Sequence, residues 1–417
     1  LTGEDTLSLL ILACISIARD GTWSASNATI YGLYAGLIAI HAAATILASP
    51  LMPRIQTLCI YINVALVVAT VVALPAGKVA RGGSLNSARY VFGHLENLSD
   101  WPVGWTFVLG FMSPIWTIGF FDSCVHMSEE AVHAARAVPR GILFSAASAC
   151  VLGFLVLSVL AAVMDPVVEN TYGTVFGQPM AQIYHDALGK LGALGFMAVL
   201  IVTQFLIGLS LLVAASRQTW AFARDAALPF STLLRQIPGA TVSTSSSSWS
   251  SPLMQSLAYQ PINAVVFLAA ICTVFGLLAL INNVAASALF SLFVASNYLA
   301  WGTPIVCRLI WGEDRLSVSA SASGEREKKK FTRGEFSTGD RASRIIAGVA
   351  VGWLGFGLVL SMFPVVRGPD AREMNYTVVI NGFVWIACMA YYYLYARRFY
   401  TGPRTTLADE TGSSSEN

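Results

Sequence analysis

The sequence predicts an all-α polytopic membrane protein, and three observations carry that expectation. Of 417 residues, 55% are hydrophobic and only 12% are charged, with a mean hydropathy of +0.64; soluble domains carry roughly 25% charged residues. Ten apolar runs follow one another, and all but the first approach the ~20 residues a helix needs to cross a bilayer. Lys and Arg, which favour cytoplasmic loops, are divided unevenly. One alternating set of loops, with the C-terminal tail, holds Arg54, Arg136, Arg140, Arg217, Arg224, Arg235, the stretch Arg308–Arg344, Arg397, Arg398 and Arg404, eighteen of the 25 basic residues. The opposite set holds seven, so the C-terminus is expected in the cytoplasm and the Asp20–Thr29 loop outside. A net charge of +2 segregated in this way is no footprint for nucleic acid.

In order, the runs fall at Thr6–Ala18, Ile30–Ser49, Ile55–Leu74, Val103–Phe121, Ile142–Met164, Leu191–Ala215, Pro261–Leu280, Ala285–Val306, Ile345–Val365 and Tyr376–Ala396. The first is too short to span alone and reads as the end of a longer helix. Leu1 opens the chain, with no Met and no signal peptide before it, which leads to the expectation of a processed or incomplete product. Residues 1–311 are expected to form a transmembrane bundle with a serine-rich loop at 239–260. A basic disordered cytoplasmic linker follows at 312–344, then two helices over 345–398 and a tail at 399–417. The lysines of that linker suit a solvated loop or contact with membrane lipid. Three sequons, at Asn27, Asn97 and Asn375, fall on or beside outer loops.

The stretch Val103–Gly141 organises the rest. Pro114 interrupts its apolar run, Gly110 and Gly119 flank the proline, and Asp122 follows directly. A proline removes one helix hydrogen bond and clashes with the preceding turn. Backbone groups freed inside a bilayer are tolerated only where protein or a water-filled cavity satisfies them. Asp122 is the acid associated with an apolar run, and such a residue is a functional-site candidate. Two readings stand: a broken helix that builds a site near the midplane, or a kinked helix with Asp122 at the membrane edge beside Glu129 and Glu130.

Seven cysteines are scattered singly in or beside apolar runs, as small buried residues are. The sequence holds no HExxH, G-x-S-x-G or P-loop, and His126-Met-Ser-Glu129 lacks the second histidine of a zinc-peptidase helix. No metal, cofactor or enzyme chemistry is therefore expected.

Five separated motifs carry a resemblance. They are Phe121-Asp-Ser-Cys-Val-His-Met-Ser-Glu-Glu130 with Arg136-Ala-Val-Pro139; Ala215-Ser-Arg-Gln-Thr-Trp-Ala-Phe-Ala-Arg-Asp225 with Leu228-Pro229; Gln260-Pro-Ile-Asn263; Met374-Asn-Tyr-Thr377; and Tyr400-Thr-Gly-Pro403. In this order they resemble the amino acid–polyamine–organocation superfamily, and within it the fungal branch of GABA and choline permeases. The resemblance implies an inverted-repeat helix bundle in which Thr6–Ala18 matches the third helix and Val103–Glu130 the sixth. The family's first two helices then have no counterpart here, and the chain is expected to be N-terminally truncated.

The resemblance also implies a secondary active transporter for amino acids or related amines such as GABA or choline, working by alternating access with the proton as coupling ion. The alternative is a non-transporting remnant or a regulatory membrane scaffold. The substrate-binding candidates are Ser113, Pro114, Trp116, Thr117, Gly119 and Phe120, where freed carbonyls would accept an ammonium group. Trp116 would either cover the cation with its ring face or pack against lipid and protein, and Phe120 and Phe121 suit packing. Asp122 is a candidate for coupling or gating, or for a structural hydrogen bond. Glu129 and Glu130 with Arg136, Arg140 and Arg217 form either a switchable inner gate or a solvated charged loop. His41 suits a packed, hydrogen-bonded histidine or a proton relay. Asn63, Gln204 and Ser210 are expected to line a cavity or to bond helix to helix.

Overall fold

In the computed structural model, the structure describes residues 2–126, 128, 131, 133–237, 260–280, 283–316, 318–320, 326–328, 336–364, 366–369, 374–400 and 402. Helix dominates. In chain order the helices are α1 (Thr2–Ala18), α2 (Asn27–Leu47), α3 (Met52–Ala80), α4 (Ala88–Gly93), α5 (Val103–Leu109), α6 (Met112–Thr117), α7 (Ser123–His126) and α8 (Ala134–Val163). They continue with α9 (Val168–Tyr172), α10 (Pro179–Arg224), α11 (Ser231–Leu234), α12 (Ile262–Gly276), α13 (Asn283–Leu316), α14 (Asp340–Leu360) and α15 (Thr377–Leu394). Within the expected linker, α13 continues to Leu316, and two short strands, β1 (Val318–Ala320) and β2 (Arg326–Lys328), pair antiparallel with Val318 opposite Lys328. The serine-rich loop at 239–260, apart from Gln260, lies outside the described residues.

Among the described residues six helices are long and apolar enough to cross a membrane: α2, α3, α8, α10, α14 and α15, the last with its following turn. Two shorter apolar helices lie at Asp5–Ala18 and Ile262–Gly276, the second continued by a 3-10 turn at Leu277–Leu280. Of the two readings of Val103–Phe121, the structure has the broken one: the segment is divided between α5 and α6, with α7 beyond.

The fold divides into two compact units: Leu1–Leu85, Val163–Leu280 and Val384–Asn417 in one, Asn86–Ala162 and Ile281–Phe383 in the other. In the first unit, α10 packs against α1, α2, α3 and α12. At 46 residues α10 would run about 70 Å at 1.5 Å per residue, more than twice the ~30 Å hydrocarbon core. It is broken at Gly189, whose φ of 72° is left-handed, just ahead of the apolar run that starts at Leu191. A side chain at Gly189 would also meet the Arg81 guanidinium, 2.4 Å from an ideal Cβ. Lys190 beside it pairs with Asp20 at 2.7 Å. Met52, Leu209 and Val213 form a core between α3 and α10, with Ala44 and Ala48 packed on it. Ser26 caps α2 by accepting from the Thr29 N–H at 3.2 Å.

In the second unit α13 and α14 lie side by side, and α6 packs on α14. Its core is Ile115 of α6 with Val294 and Tyr298 of α13, flanked by Leu354 and Leu358 of α14. At one end the Trp101 indole donates to the Pro364 carbonyl at 3.3 Å, and the Arg367 N–H donates to Ser99 at 2.9 Å. Trp105 meets Phe363 edge-on at 4.9 Å. Two of the three sequon asparagines are tied into this end. Asn97 Oδ1 accepts from the Ser99 hydroxyl (2.8 Å) and Thr106 (3.0 Å), while Asn375 Nδ2 donates to the carbonyls of Ser361 and Phe363. Asn27 is the exposed first residue of α2.

The contact of α12 with α2 in the first unit gives a test. Tyr34 donates its hydroxyl to the Cys272 carbonyl at 2.8 Å, and its ring lies 2.2 Å from where a Cβ on Gly276 would be. Gly276→Ala is therefore expected to lower stability by about 1–3 kcal/mol through overpacking, and Tyr34→Phe by about 1 kcal/mol through the lost hydrogen bond. Thermal unfolding of the detergent-solubilised protein measures both. A Gly276→Ala protein as stable as the parent would contradict the close approach.

Candidate functional site

The candidate site is the interrupted segment α5–α6–α7 of the second unit. Pro114 sits in the first turn of α6, where its missing N–H costs no helix bond. The preceding helix has already stopped at Leu109, so Gly110 and Phe111 form the first break. The second break covers Ile118–Asp122, and at its centre Phe120 has φ 64°. A non-glycine residue there costs on the order of 1–3 kcal/mol and persists only where its surroundings hold it.

Ring contacts supply that hold. Phe120 stacks on Phe293 of α13 at 4.9 Å and 27°, and Trp116 stacks on the same Phe293 at 4.7 Å and 10°. The next ring, Phe121, packs on Trp301 of α13 at 4.6 Å. One face of the Trp116 indole is thus covered by Phe293. Phe120 and Phe121 pack as the sequence suggested. Thr117 donates its hydroxyl back to the Ser113 carbonyl at 3.0 Å, so that acceptor is satisfied. Among the described residues, no backbone N–H donates to the carbonyls of Thr117, Ile118 or Gly119. These three successive acceptors lie at the break, with Ser113, Pro114 and Thr117 exposed and Gly119 half-buried. Helix α8 closes one side: a Cβ at Gly153 would come 2.5 Å from the Thr117 methyl.

Asp122 lies beyond the second break. Its Oδ2 is 3.2 Å from His126 Nε2, one turn on, and the two side chains are 19% and 24% exposed. Trp301 also offers its side chain to the carboxylate. Asp122 is therefore held by hydrogen bonds in a half-buried setting, with no Lys or Arg among these partners. Glu129 and Glu130 lie outside the described residues. Arg136 and Arg140 stand four residues apart at the start of α8 and are exposed. Arg217 belongs to the other unit, in α10. There Arg224 lies 3.5 Å from Asp225 and over the Trp220 ring.

Other sequence candidates serve local roles. His41 is fully buried, 2.9 Å through Nε2 from the Phe205 carbonyl and packed on the Phe205 ring at a tilt of 36°, the packed alternative. Asn63 donates to the Cys59 carbonyl and Ser210 to Leu206, each one turn back in its own helix. Neither bonds helix to helix as expected, because a hydroxyl or amide on a helix finds the i−4 carbonyl first. Phe293 and Trp301 were missed. Their only signal in sequence is an eight-residue spacing on one helical face of an otherwise ordinary apolar run.

Several membrane-length helices, with one span broken twice and acceptors gathered at the break, define a polytopic integral membrane protein of the broken-helix type. The sequence profile of the amino acid permease family matches residues 6–384. A GABA-specific permease of Saccharomyces cerevisiae is 38% identical over 402 residues, 96% of this chain and 65% of its own length. An uncharacterised amino-acid permease of Schizosaccharomyces pombe is 29% identical over 96% of this chain and 66% of its own. Amino-acid permease 2 of Neurospora crassa is 25% identical over 96% and 67%. The chain thus belongs to the amino acid permease family, and it spans about two thirds of the length of these curated relatives.

The stack on Phe293 makes a prediction. Phe293→Ala removes two ring contacts, each worth about 0.5–1.5 kcal/mol beyond area burial. It is expected to destabilise the detergent-solubilised protein by about 2–3 kcal/mol. Phe383→Ala, at a ring 71% exposed on α15, should cost far less. Equal losses for the two variants would show that the stack does not hold the break.

Proposed function

We propose that this chain works as a permease for amino acids or related amines such as GABA, and that the break at Ser113–Gly119 receives the substrate nitrogen. The observation that carries the reading is the run of carbonyls at Thr117, Ile118 and Gly119 without a backbone N–H donor among the described residues, on the broken helix of an amino acid permease family member. Carbonyl oxygens at a helix break attract a cation, and an ammonium group can donate to more than one of them. Phe293 and Phe120 stack on Trp116 and fix its ring plane; a substrate cation held against this aromatic group would gain an interaction worth ~2 kcal/mol or more when desolvated. Choline, with no N–H to donate, would rely on the aromatic face alone. The GABA specificity of the Saccharomyces relative favours a primary amine.

Asp122 is the coupling or gating carboxylate of the reading, and Arg136 and Arg140 at the start of α8 are the charges of its inner gate. Access alternates as the broken segment moves with these charges. The proton is the coupling ion, the plasma membrane the location, and the C-terminus is cytoplasmic by the Lys/Arg distribution.

Uptake of labelled GABA, choline and a panel of amino acids in permease-deficient yeast tests this. Both the 417-residue polypeptide and the product of its whole genomic reading frame are expressed. Trp116→Ala is expected to weaken apparent affinity about tenfold or more. Asp122→Asn should flatten the dependence of uptake on external pH while leaving the protein at the cell surface. Surface-expressed protein with no uptake of any panel member would sink the proposal. Unchanged affinity in Trp116→Ala would remove the aromatic part of it.

A further inference from the structure

Helix α7 is four residues long, and a helix that short is not stable by itself. Its position is set by what grips it from outside. Asp122 starts the turn: its backbone carbonyl accepts from the Val125 and His126 N–H groups at 2.7 and 3.3 Å. Its carboxylate meets His126 within the same turn and accepts a second hydrogen bond from the Trp301 indole of α13. The same indole packs on the Phe121 ring at 4.6 Å and 37°. One side chain of α13 thus holds two successive residues of the broken segment, one by a ring contact and one by a hydrogen bond.

Trp301 has a firm base. Tyr298, three residues back, meets it at 5.6 Å, belongs to the core with Ile115 and Val294, and closes over Gly357 of α14. The grip therefore comes from a packed helix pair. On another side α7 meets α8 through Cys124, whose Sγ lies 3.0 Å from where a Cβ on Gly141 would be. Just ahead of α7, Phe120 keeps a left-handed backbone, which persists only while its surroundings hold it. A hydrogen bond to a carboxylate is roughly twice as strong as one between neutral groups, so the indole–carboxylate bond is the strongest single tie between α7 and α13.

We infer that Trp301 is a positioning residue for Asp122: its indole N–H latches the start of α7 to α13 and so keeps the second break in the arrangement described. Movement of the broken segment past α13 requires this bond to open. The part it plays in transport rests on the permease reading above, whereas the latch is a property of the fold and stands without that reading.

Cys124, half-buried within α7, reports the latch directly. Its alkylation by N-ethylmaleimide in the purified full chain is followed by peptide mass spectrometry, with Cys14 of α1 as internal reference. Trp301→Phe keeps an aromatic ring against Phe121 and Tyr298 but removes the donor. It should speed Cys124 alkylation about tenfold, the size of one charge-assisted hydrogen bond, and leave Cys14 unchanged. Asp122→Ala should speed it at least as much, and the double variant no more than Asp122→Ala alone, because both changes remove the same bond. A parent-like rate in Trp301→Phe, or rates that multiply in the double variant, overturns the latch. If Trp301→Phe does not fold, Asp122→Asn takes its place. Its amide accepts from the indole without a charge, so its rate should fall between the parent and Asp122→Ala; a parent-like rate in both Asp122 variants overturns the latch. In permease-deficient yeast, Trp301→Phe should lower the maximal rate of GABA uptake about tenfold with KM unchanged, because the indole grips residues beyond the substrate break. A raised KM at full maximal rate would make Trp301 a substrate contact and overturn its positioning role. A parent that takes up no panel member refutes the permease reading instead, and the Cys124 rates then decide the latch alone.

Discussion

The backbone of a helix that stops inside a bilayer has carbonyls and N–H groups with no water to take them, and the rest of this fold answers to that constraint. Each unsatisfied group in hydrocarbon costs several kcal/mol. The chain accepts two interruptions between Val103 and His126 and compensates for them locally. Pro114 is placed in a first turn, where no N–H is needed. Thr117 lends its hydroxyl to Ser113, and Phe120 holds a left-handed backbone because its ring is stacked on Phe293. What is left over is a short row of acceptors, and chemistry can use such a row.

That arrangement requires α13 as much as the broken segment itself. Phe293, Val294, Tyr298 and Trp301 present four side chains to Met112, Ile115, Trp116, Phe120 and Phe121. Tyr298 in turn reaches α14, where its ring lies 2.2 Å from an ideal Cβ on Gly357, a distance only glycine permits. Three elements thus fix the ring planes at the break. Loosening α13 would be felt at Trp116 before it was felt at any polar group.

Much of this was legible in the sequence, and the reason is physical. Crossing a bilayer imposes a length and a hydropathy, so nine of the ten apolar runs correspond to helical segments, one of them finished by a 3-10 turn. Helix ends were less legible. Hydropathy marks the edge of the bilayer, whereas α8 begins at Ala134 and α10 at Pro179, well before their apolar runs. The break at Gly189 had no signal beyond one glycine among several, since the Arg81 guanidinium that a side chain there would meet comes from more than 100 residues earlier in the chain. Pro114, Trp116 and Asp122 were legible because proline, tryptophan and a carboxylate are conspicuous in an apolar setting. Phe293 and Trp301 were not, because aromatic residues are common in spans and the partnership joins positions more than 170 residues apart.

The polar residues within the spans bear on how the helices of each unit can move. Thr70 bonds Leu66, Thr203 bonds Val199, Ser210 bonds Leu206, Thr273 bonds Ala269 and Thr303 bonds Leu299, each one turn back in its own helix. A hydroxyl satisfied within its helix makes no demand on a neighbour. Association within a unit then rests on side-chain packing, with a few cross-helix bonds such as His41 to Phe205 and Ser296 to Asn381. Packed apolar faces can slide by small shears without breaking hydrogen bonds, whereas a hydrogen-bonded seam must open. By that criterion the sparsely bonded helices of these units are suited to small shears, and the cross-helix hydrogen bonds are the points where a unit resists them.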